Sequence, residues 1–291
     1  VTHTFRKAVR TNTSILLALA GPSGSGKTYS ALRLARGLVG PAGKVAVIDT
    51  EAGRALHYAS AFNFDHCDLK PPFAPEAYQA AIVQAEDLGY QAIIIDSMSH
   101  EWAGDGGCQD LHDAAWQKLG GGEKVSVLAW RDAKQSHKRL VARLLQCRAH
   151  LIFCLRAEEK IKFEKDAHGK VQVTPAGWVP ITEKNFMYEA TVSFMLTDER
   201  PGYGRPIKLQ EQHKAFFAPT APLDERAGER LAQWASGAGA PGPVPSAPPM
   251  TGETTTGTER RDGEGMTDAP SSDEHRTALI LDIQRLLNKL K

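Results

Sequence analysis

The chain has 291 residues, 42% of them hydrophobic, and a formal net charge of +1. That length can bury a substantial core in one large or two small domains, and near-neutrality by itself points to neither nucleic acid nor a membrane surface. The distribution of charge is less even. Residues 124–165 hold eleven Lys/Arg against four Asp/Glu, while 218–275 hold ten Asp/Glu against four Lys/Arg. Cys67, Cys108, Cys147 and Cys154 show no C-x-x-C pairing and no paired-histidine spacing. This argues against a zinc site or disulfide framework and for buried or idle thiols. No apolar run reaches the roughly 18 residues of a spanning helix, and the first apolar run is too short for a signal-peptide core. A cytoplasmic protein with no membrane partner is expected.

In chain order, Ile15–Ala20 reads as a buried strand, followed by "GPSGSGKT", Gly21–Thr28, with every fixed position of G-x-x-x-x-G-K-[ST] filled. Ala31, Leu32, Leu34, Ala35 and Leu38 then give a helical stripe. A strand, a glycine loop and a helix N-terminus form a phosphate cradle, because the curled backbone points its N–H groups inward. Gly21, Gly24 and Gly26 allow the curl; Pro22, Ser23, Ser25 and Tyr29 complete the nucleotide-binding stretch. Lys27 is placed to reach the β- and γ-phosphates and Thr28 to ligate Mg²⁺, making ATP and Mg²⁺ the expected cofactors.

Further on, Lys44–Asp49 reads as a strand, Pro75–Leu88 as a helix and Gln91–Asp96 as a β-branched strand. Val125–Cys147 reads mainly as helix and His150–Leu155 as strand. The alternation predicts an α/β fold with a mostly parallel sheet covered on both faces. A hairpin turning at 166–169, strands in "ATVSFML" and "RPIKLQEQHKAFFA" (the latter broken at Glu211–Gln212), and a helix over Leu223–Trp234 complete the domain, 1–235. Residues 236–272 have too few large apolar side chains to fold and read as a linker, spanning roughly 30–40 Å as a flexible coil. Residues 273–291 read as an amphipathic helix whose stripe, Leu279, Ile280, Ile283, Leu286, Leu287 and Leu290, needs a partner. That partner is the domain itself, a second copy, or another protein.

"AIIID" places Asp96 at a strand end, where a second carboxylate holds the Mg²⁺ shell. Hydrolysis also needs a group to activate water. Ser97 follows Asp96, so that group comes from elsewhere, and "VIDTE" offers Glu51 just past the second strand. In an open parallel sheet strand ends converge on the ligand crevice, so Glu51 reaches the γ-phosphate if its strand adjoins the phosphate-loop strand. Glu101, five residues after Asp96, ranks below it. Trp102 and the glycines of "AGDGG" read as a mobile segment.

"GPSGSGKT", "VAVIDTE" and "AIIIDS" at these separations resemble the RecA-type recombinase ATPase core over about residues 10–217. The resemblance implies a RecA-like P-loop fold, with Glu51 as the water-activating carboxylate and Asp96, with Ser97, on the Mg²⁺ strand. The family has a polar γ-phosphate sensor at the end of the next strand, a position held here by Arg156 in "LIFCLRAEEK" instead of the usual Gln. Lys27, Glu51 and Arg156 are the catalytic candidates. The compact chain and "DSMSHEW" are most similar to phage-encoded RecA-core single-strand annealing proteins. The family also places the nucleotide between subunits of a ring or filament, with Lys160, Lys162 and Arg205 candidates for the cation supplied in trans.

In "WRDAKQSHKRLVARLLQCR", Arg131, Lys134 and Lys138 lie along one helix face with Arg139 and Arg143 beside them, while Leu140, Val141, Leu144 and Leu145 point inward. Such a stripe can neutralise phosphates without reading sequence. The preceding "GDGGCQDLHDAAWQKLGGGEK" reads as flexible, with Trp116 available to stack a base. An ATP-hydrolysing single-stranded-DNA-binding protein of recombination or strand annealing is expected, its tail recruiting a single-strand binding or other replication protein. A small-molecule kinase, a switch or motor acting on protein, and a helicase with the same core are the rivals.

Overall fold

The computed structural model describes residues 5, 7–11, 13–165 and 171–237. The turn expected at 166–169, most of the linker and the helix expected at 273–291 lie outside the described residues. The chain divides into two units, one of residues 1–158 and 178–244, the other of 159–177 and 245–291. In the second, the described residues belong to two paired strands, β5 and β6.

The elements run β1 (Leu16–Gly21), α1 (Lys27–Val39), β2 (Val45–Asp49), a 3₁₀ turn (Arg54–Tyr58), β3 (Asp65–Asp68), α2 (Pro75–Asp87), β4 (Ala92–Asp96), α3 (Ser99–Ala103), α4 (Cys108–Lys118) and α5 (Glu123–Leu144). They continue β5 (His150–Lys165), β6 (Val171–Pro180), α6 (Phe186–Glu189), β7 (Val192–Leu196), β8 (Gly204–Lys208), α7 (Glu211–Lys214) and α8 (Glu225–Ala235). The sheet has the order β3-β2-β4-β5-β1-β7-β8, with β6 paired to β5. Pairings from β3 through β7 along that path are parallel, and only the β7–β8 pairing closes it antiparallel. The α/β architecture read from the alternation is the one found, a RecA-like P-loop core.

The central strands are buried on both faces, which is why they read as continuous apolar runs. Side chains alternate between two cores. Leu17, Leu19, Val47 and Ile94 join Leu34 and Leu38 of α1 and Leu231 of α8. Leu16, Ala18, Ile48, Ile93 and Ile95 join Tyr78 and Ile82 of α2 and Leu140 and Leu144 of α5. On the first face α1 and α8 cross so closely that a Cβ on Gly37 would lie 2.0 Å from the Glu225 carbonyl oxygen. Beside the crossing, the Arg33 guanidinium binds both Glu225 oxygens, at 2.6–3.0 Å. Gly37→Ala should lower stability by about 2 kcal/mol, the scale of an overpacked core; a urea midpoint unchanged from the parent would contradict the close crossing.

Several expectations change. The segment read as flexible is largely helix α4, because Cys108 is buried beneath it and its length packs along α5. Trp116 donates its Nε1–H to the Gly122 carbonyl, 3.0 Å away. The second half of "RPIKLQEQHKAFFA" is not a strand: α7 turns the chain so that Phe216 and Phe217 enter the first core. Strand β5 runs ten residues past the expected Leu155. Leu145 is 52% exposed instead of inward, since α5 ends at Leu144. The glycines of "AGDGG" are packed: a Cβ on Gly104 would meet Phe73 at 2.8 Å, and Trp102 stacks on Trp130 at 5.3 Å. Strand β3, "DHCD", went unread because it lies at the sheet edge and carries no apolar alternation.

Candidate active site

Parallel pairing brings the strand C-termini to one edge. Gly21 is in register with Arg156, Asp49 with Asp96, and Asp96 with Cys154. Above them lies a cleft of about 620 Å³, lined by the loop, Glu51, Arg54, His57, Tyr58, Asp96, Arg156, Ala157 and Ile181.

The loop curves into α1 through Gly26, whose φ of 83° is a left-handed conformation that a Cβ opposes. That Cβ would also sit 2.8 Å from the Gly202 nitrogen. Lys27 Nζ donates to the carbonyls of Gly21 and Pro22, at 2.9 and 2.6 Å. Burial pulls its pKa below the ordinary lysine value, against the pull of Asp96 and Glu51. Ser25 is buried behind the loop and donates to the Pro22 carbonyl at 2.9 Å. Tyr29 does not line the cleft; it packs on Tyr58 and Phe62 at 5.7 and 5.4 Å.

Thr28 Oγ1 donates to Asp96 Oδ2 at 2.5 Å. Burial raises the Asp96 pKa to about 6, with the Thr28 bond pulling down and the Glu51 and Asp49 charges pushing up. A hydroxyl and a carboxylate brought together at an open cleft are hard oxygen donors, the set that suits Mg²⁺ with water and phosphate completing its shell.

The turn after β2 is built by a buried carboxylate. Asp49 Oδ1 accepts the Glu51 N–H at 2.6 Å, and Oδ2 accepts the Ala55 N–H at 3.0 Å and lies 3.2 Å from His66 Nε2. Thr50 Oγ1 accepts the Ser97 N–H at 2.8 Å and lies 2.7 Å from His100 Nδ1, joining the ends of β2 and β4. The condition that β2 adjoin β1 is not met, because β4 and β5 intervene. Glu51 nevertheless lines the cleft, since this turn carries it past the strand end.

Glu51 is held there by Arg156. The guanidinium Nε and one terminal nitrogen donate to the two carboxylate oxygens at 2.8 and 2.7 Å, a bidentate pair. Burial pushes the Glu51 pKa up, but the Arg156 bond and charge, helped by His100 and Arg54, hold it below the usual carboxylate value. Arg156 rises in turn, chiefly through its bond to Glu51. His100 Nε2 stands 4.0 Å from Glu51 Oε1, and burial and Arg156 lower its pKa.

Glu101 does not join this group: it is fully buried away from the cleft, against His137 and Cys108. Arg54, His57, Tyr58 and His100 went unread. The three-residue advance from Glu51 to Arg54 was the available signal, and it gains meaning only once Gly53, at φ 82°, starts the 3₁₀ turn.

On α5, Arg131, Lys134, Lys138 and Arg139 are exposed. Arg131 is bonded to Asp132 at 2.9 Å and Lys134 lies over the Trp130 ring. Arg143 differs, being tied to Glu86 and partly buried. Among the trans candidates Arg205 is exposed on β8, Lys160 lies on β5, and the Lys162 side chain is outside the described residues.

A phosphate loop opening helix α1, with Thr28 against Asp96 and a carboxylate across the cleft, defines a RecA-like P-loop nucleotide-binding core. Residues 13–187 match the AAA domain family, and the chain belongs to it. Among solved structures, the KaiC-like protein PH0186 from the hyperthermophilic archaeon Pyrococcus horikoshii OT3 is similar at 15% identity. The match covers 69% of this chain and 81% of that one, with a TM-score of 0.38. No curated protein matches. No helix among the described residues is long and apolar enough to cross a membrane.

Proposed function

We propose that this AAA-family domain binds ATP with Mg²⁺ and hydrolyses it, coupling the cycle to single-stranded DNA in recombination or strand annealing. The observation that carries the hydrolytic part is the convergence of Lys27, Thr28, Asp96, Glu51 and Arg156 on one cleft. The loop amides and Lys27 would hold the phosphates, and Thr28 and Asp96 would hold Mg²⁺, whose charge would offset that developing on the phosphate oxygens. Glu51 accepts the proton of the attacking water. The bidentate pair makes Arg156 a gate: Arg156 turning to a phosphate oxygen leaves Glu51 free to act. In a ring or filament, Arg205 of β8 is a candidate cation for the neighbouring site. Cytoplasmic action, and recruitment of a replication protein through residues 236–291, go with this reading.

The DNA part is supported by the exposed cations Arg131, Lys134, Lys138 and Arg139 on α5. Arg143 is left out of that surface because Glu86 holds it. Hydrolysis should rise severalfold with single-stranded DNA at low salt and lose that stimulation at moderate salt, as counterion release requires. Charge reversal at Lys134 and Lys138 should remove the stimulation and leave basal turnover intact. Hydrolysis indifferent to DNA at both salts would turn the reading toward a motor or switch acting on protein, and directional duplex unwinding toward a helicase.

A further inference from the structure

Away from the cleft, Glu101 of α3, Cys108 at the start of α4 and His137 of α5 meet in the interior. They are 0%, 0% and 5% exposed. Cys108 Sγ lies 3.3 Å from Glu101 Oε1, and His137 Nδ1 lies 3.0 and 3.2 Å from the two Glu101 oxygens. The ligating atoms of all three side chains fall within 4.8 Å of one another. None of the three lines the nucleotide cleft.

We propose that Glu101, Cys108 and His137 bind a structural Zn²⁺ that staples α3, α4 and α5 together. Thiolate, imidazole and carboxylate are the donors zinc takes, and donors about 2.0–2.3 Å from a tetrahedral ion stand roughly 3.3–3.8 Å apart. The two contacts to Glu101 need to lengthen by only a few tenths of an ångström, and the Cys108–His137 separation, within 4.8 Å, to settle at the same spacing. The Glu101 carboxylate binds through one oxygen, so the three side chains fill three tetrahedral corners and a water takes the fourth.

The chemistry balances. The Cys108 S–H proton leaves to solvent, and a neutral His137 with its hydrogen on Nε2 offers its Nδ1 lone pair, so the dication meets one thiolate and one carboxylate. A thiol is a weak donor for a carboxylate buried this deeply, whereas a dication neutralises both anionic ligands. The site also explains why cysteine spacing gave no sign of zinc: its ligands come one each from α3, α4 and α5, with a single cysteine among them, not from a local C-x-x-C. Beside His137, the Trp102 ring stacks on Trp130 at 5.3 Å and meets the imidazole edge-on at 5.7 Å.

The test uses the full chain without a histidine tag, purified and equilibrated with zinc, then desalted and unfolded to release metal to a chelating dye. About one zinc per chain is expected, falling at least tenfold in Cys108→Ser and His137→Gln. The exposed thiol variant Cys67→Ser should keep its zinc. Cobalt added to the metal-free parent should give a thiolate charge-transfer band, absent in Cys108→Ser. That band reads the site in the parent protein even if the variants fold poorly. Less than about a tenth of a zinc per chain together with no cobalt–thiolate band would overturn the proposal and leave Glu101 and His137 a hydrogen-bonded pair. Zinc retained in Cys108→Ser would overturn it equally, by placing the metal elsewhere.

Discussion

Replacing Glu51 by Gln should lower ATP turnover by about 10²–10⁴-fold, the range of a positioned general base, while nucleotide still binds. The amide keeps the shape of the side chain and its place on the Asp49-built turn, but cannot take a proton from water. It also gives up the charge that pairs with Arg156. Arg156→Ala separates the two roles. If Arg156 only restrained Glu51, turnover would rise. If it also meets phosphate charge, as the gate reading requires, turnover should fall about 10-fold or more. Single-turnover hydrolysis with a parallel fluorescent-nucleotide titration measures both. Near-parental turnover in Glu51→Gln would remove this residue from the chemistry and require another base, with His100, 4.0 Å away, a candidate.

The second large effect concerns stability and pH. Glu86 on α2 is 7% exposed and meets Arg143 of α5 and both the backbone N–H and side chain of Arg148. Burial alone would raise its pKa, but the Arg143 hydrogen bond, then those from Arg148, outweigh burial and hold it at about 2. The folded value thus lies below the unfolded one. Its contribution is therefore complete above about pH 4.5 and is lost as pH falls toward 2. Arg148 is 85% exposed, so solvent screens its share, leaving about 2–3 kcal/mol at neutral pH. Glu86→Gln should cost about 3 kcal/mol at pH 7, since it strands a partly buried guanidinium. The difference from the parent should shrink steadily below pH 4.5. Parallel acid-unfolding curves for the two proteins would show that the ion pair carries no such weight.

Much of this was legible in the residues because the relevant signals are local. The loop, the strand-end Asp96 and Glu51 each sit beside an apolar run, and the parallel strands are buried on both faces. The helix boundaries shifted by no more than three residues, because helix ends are set by caps and packing, not by composition. What went unread depends on contacts distant in sequence. Edge strand β3 has no core face. Helix α4 is stabilised by α5, although its own glycine-flanked sequence reads as loop. Arg143 looks like a DNA contact on its helix and becomes an internal ion pair only when α2 brings Glu86 beside it. Glu101 looked like a neighbour of the nucleotide by count of residues. Helix α3 turns it inward instead, toward His137.

The bonding of the phosphate loop to itself bears on how a nucleotide is captured. Lys27 grips the carbonyls of Gly21 and Pro22, Ser25 braces Pro22 from behind, and the Gly202 N–H holds the Ser25 carbonyl at 3.0 Å. These contacts brace the curvature of the cradle. The entropy of ordering those residues is spent during folding, so association need not include it. On the proposed ATP-binding role, capture would exchange Lys27 from these carbonyls to phosphate oxygens while the rest of the loop keeps its bracing.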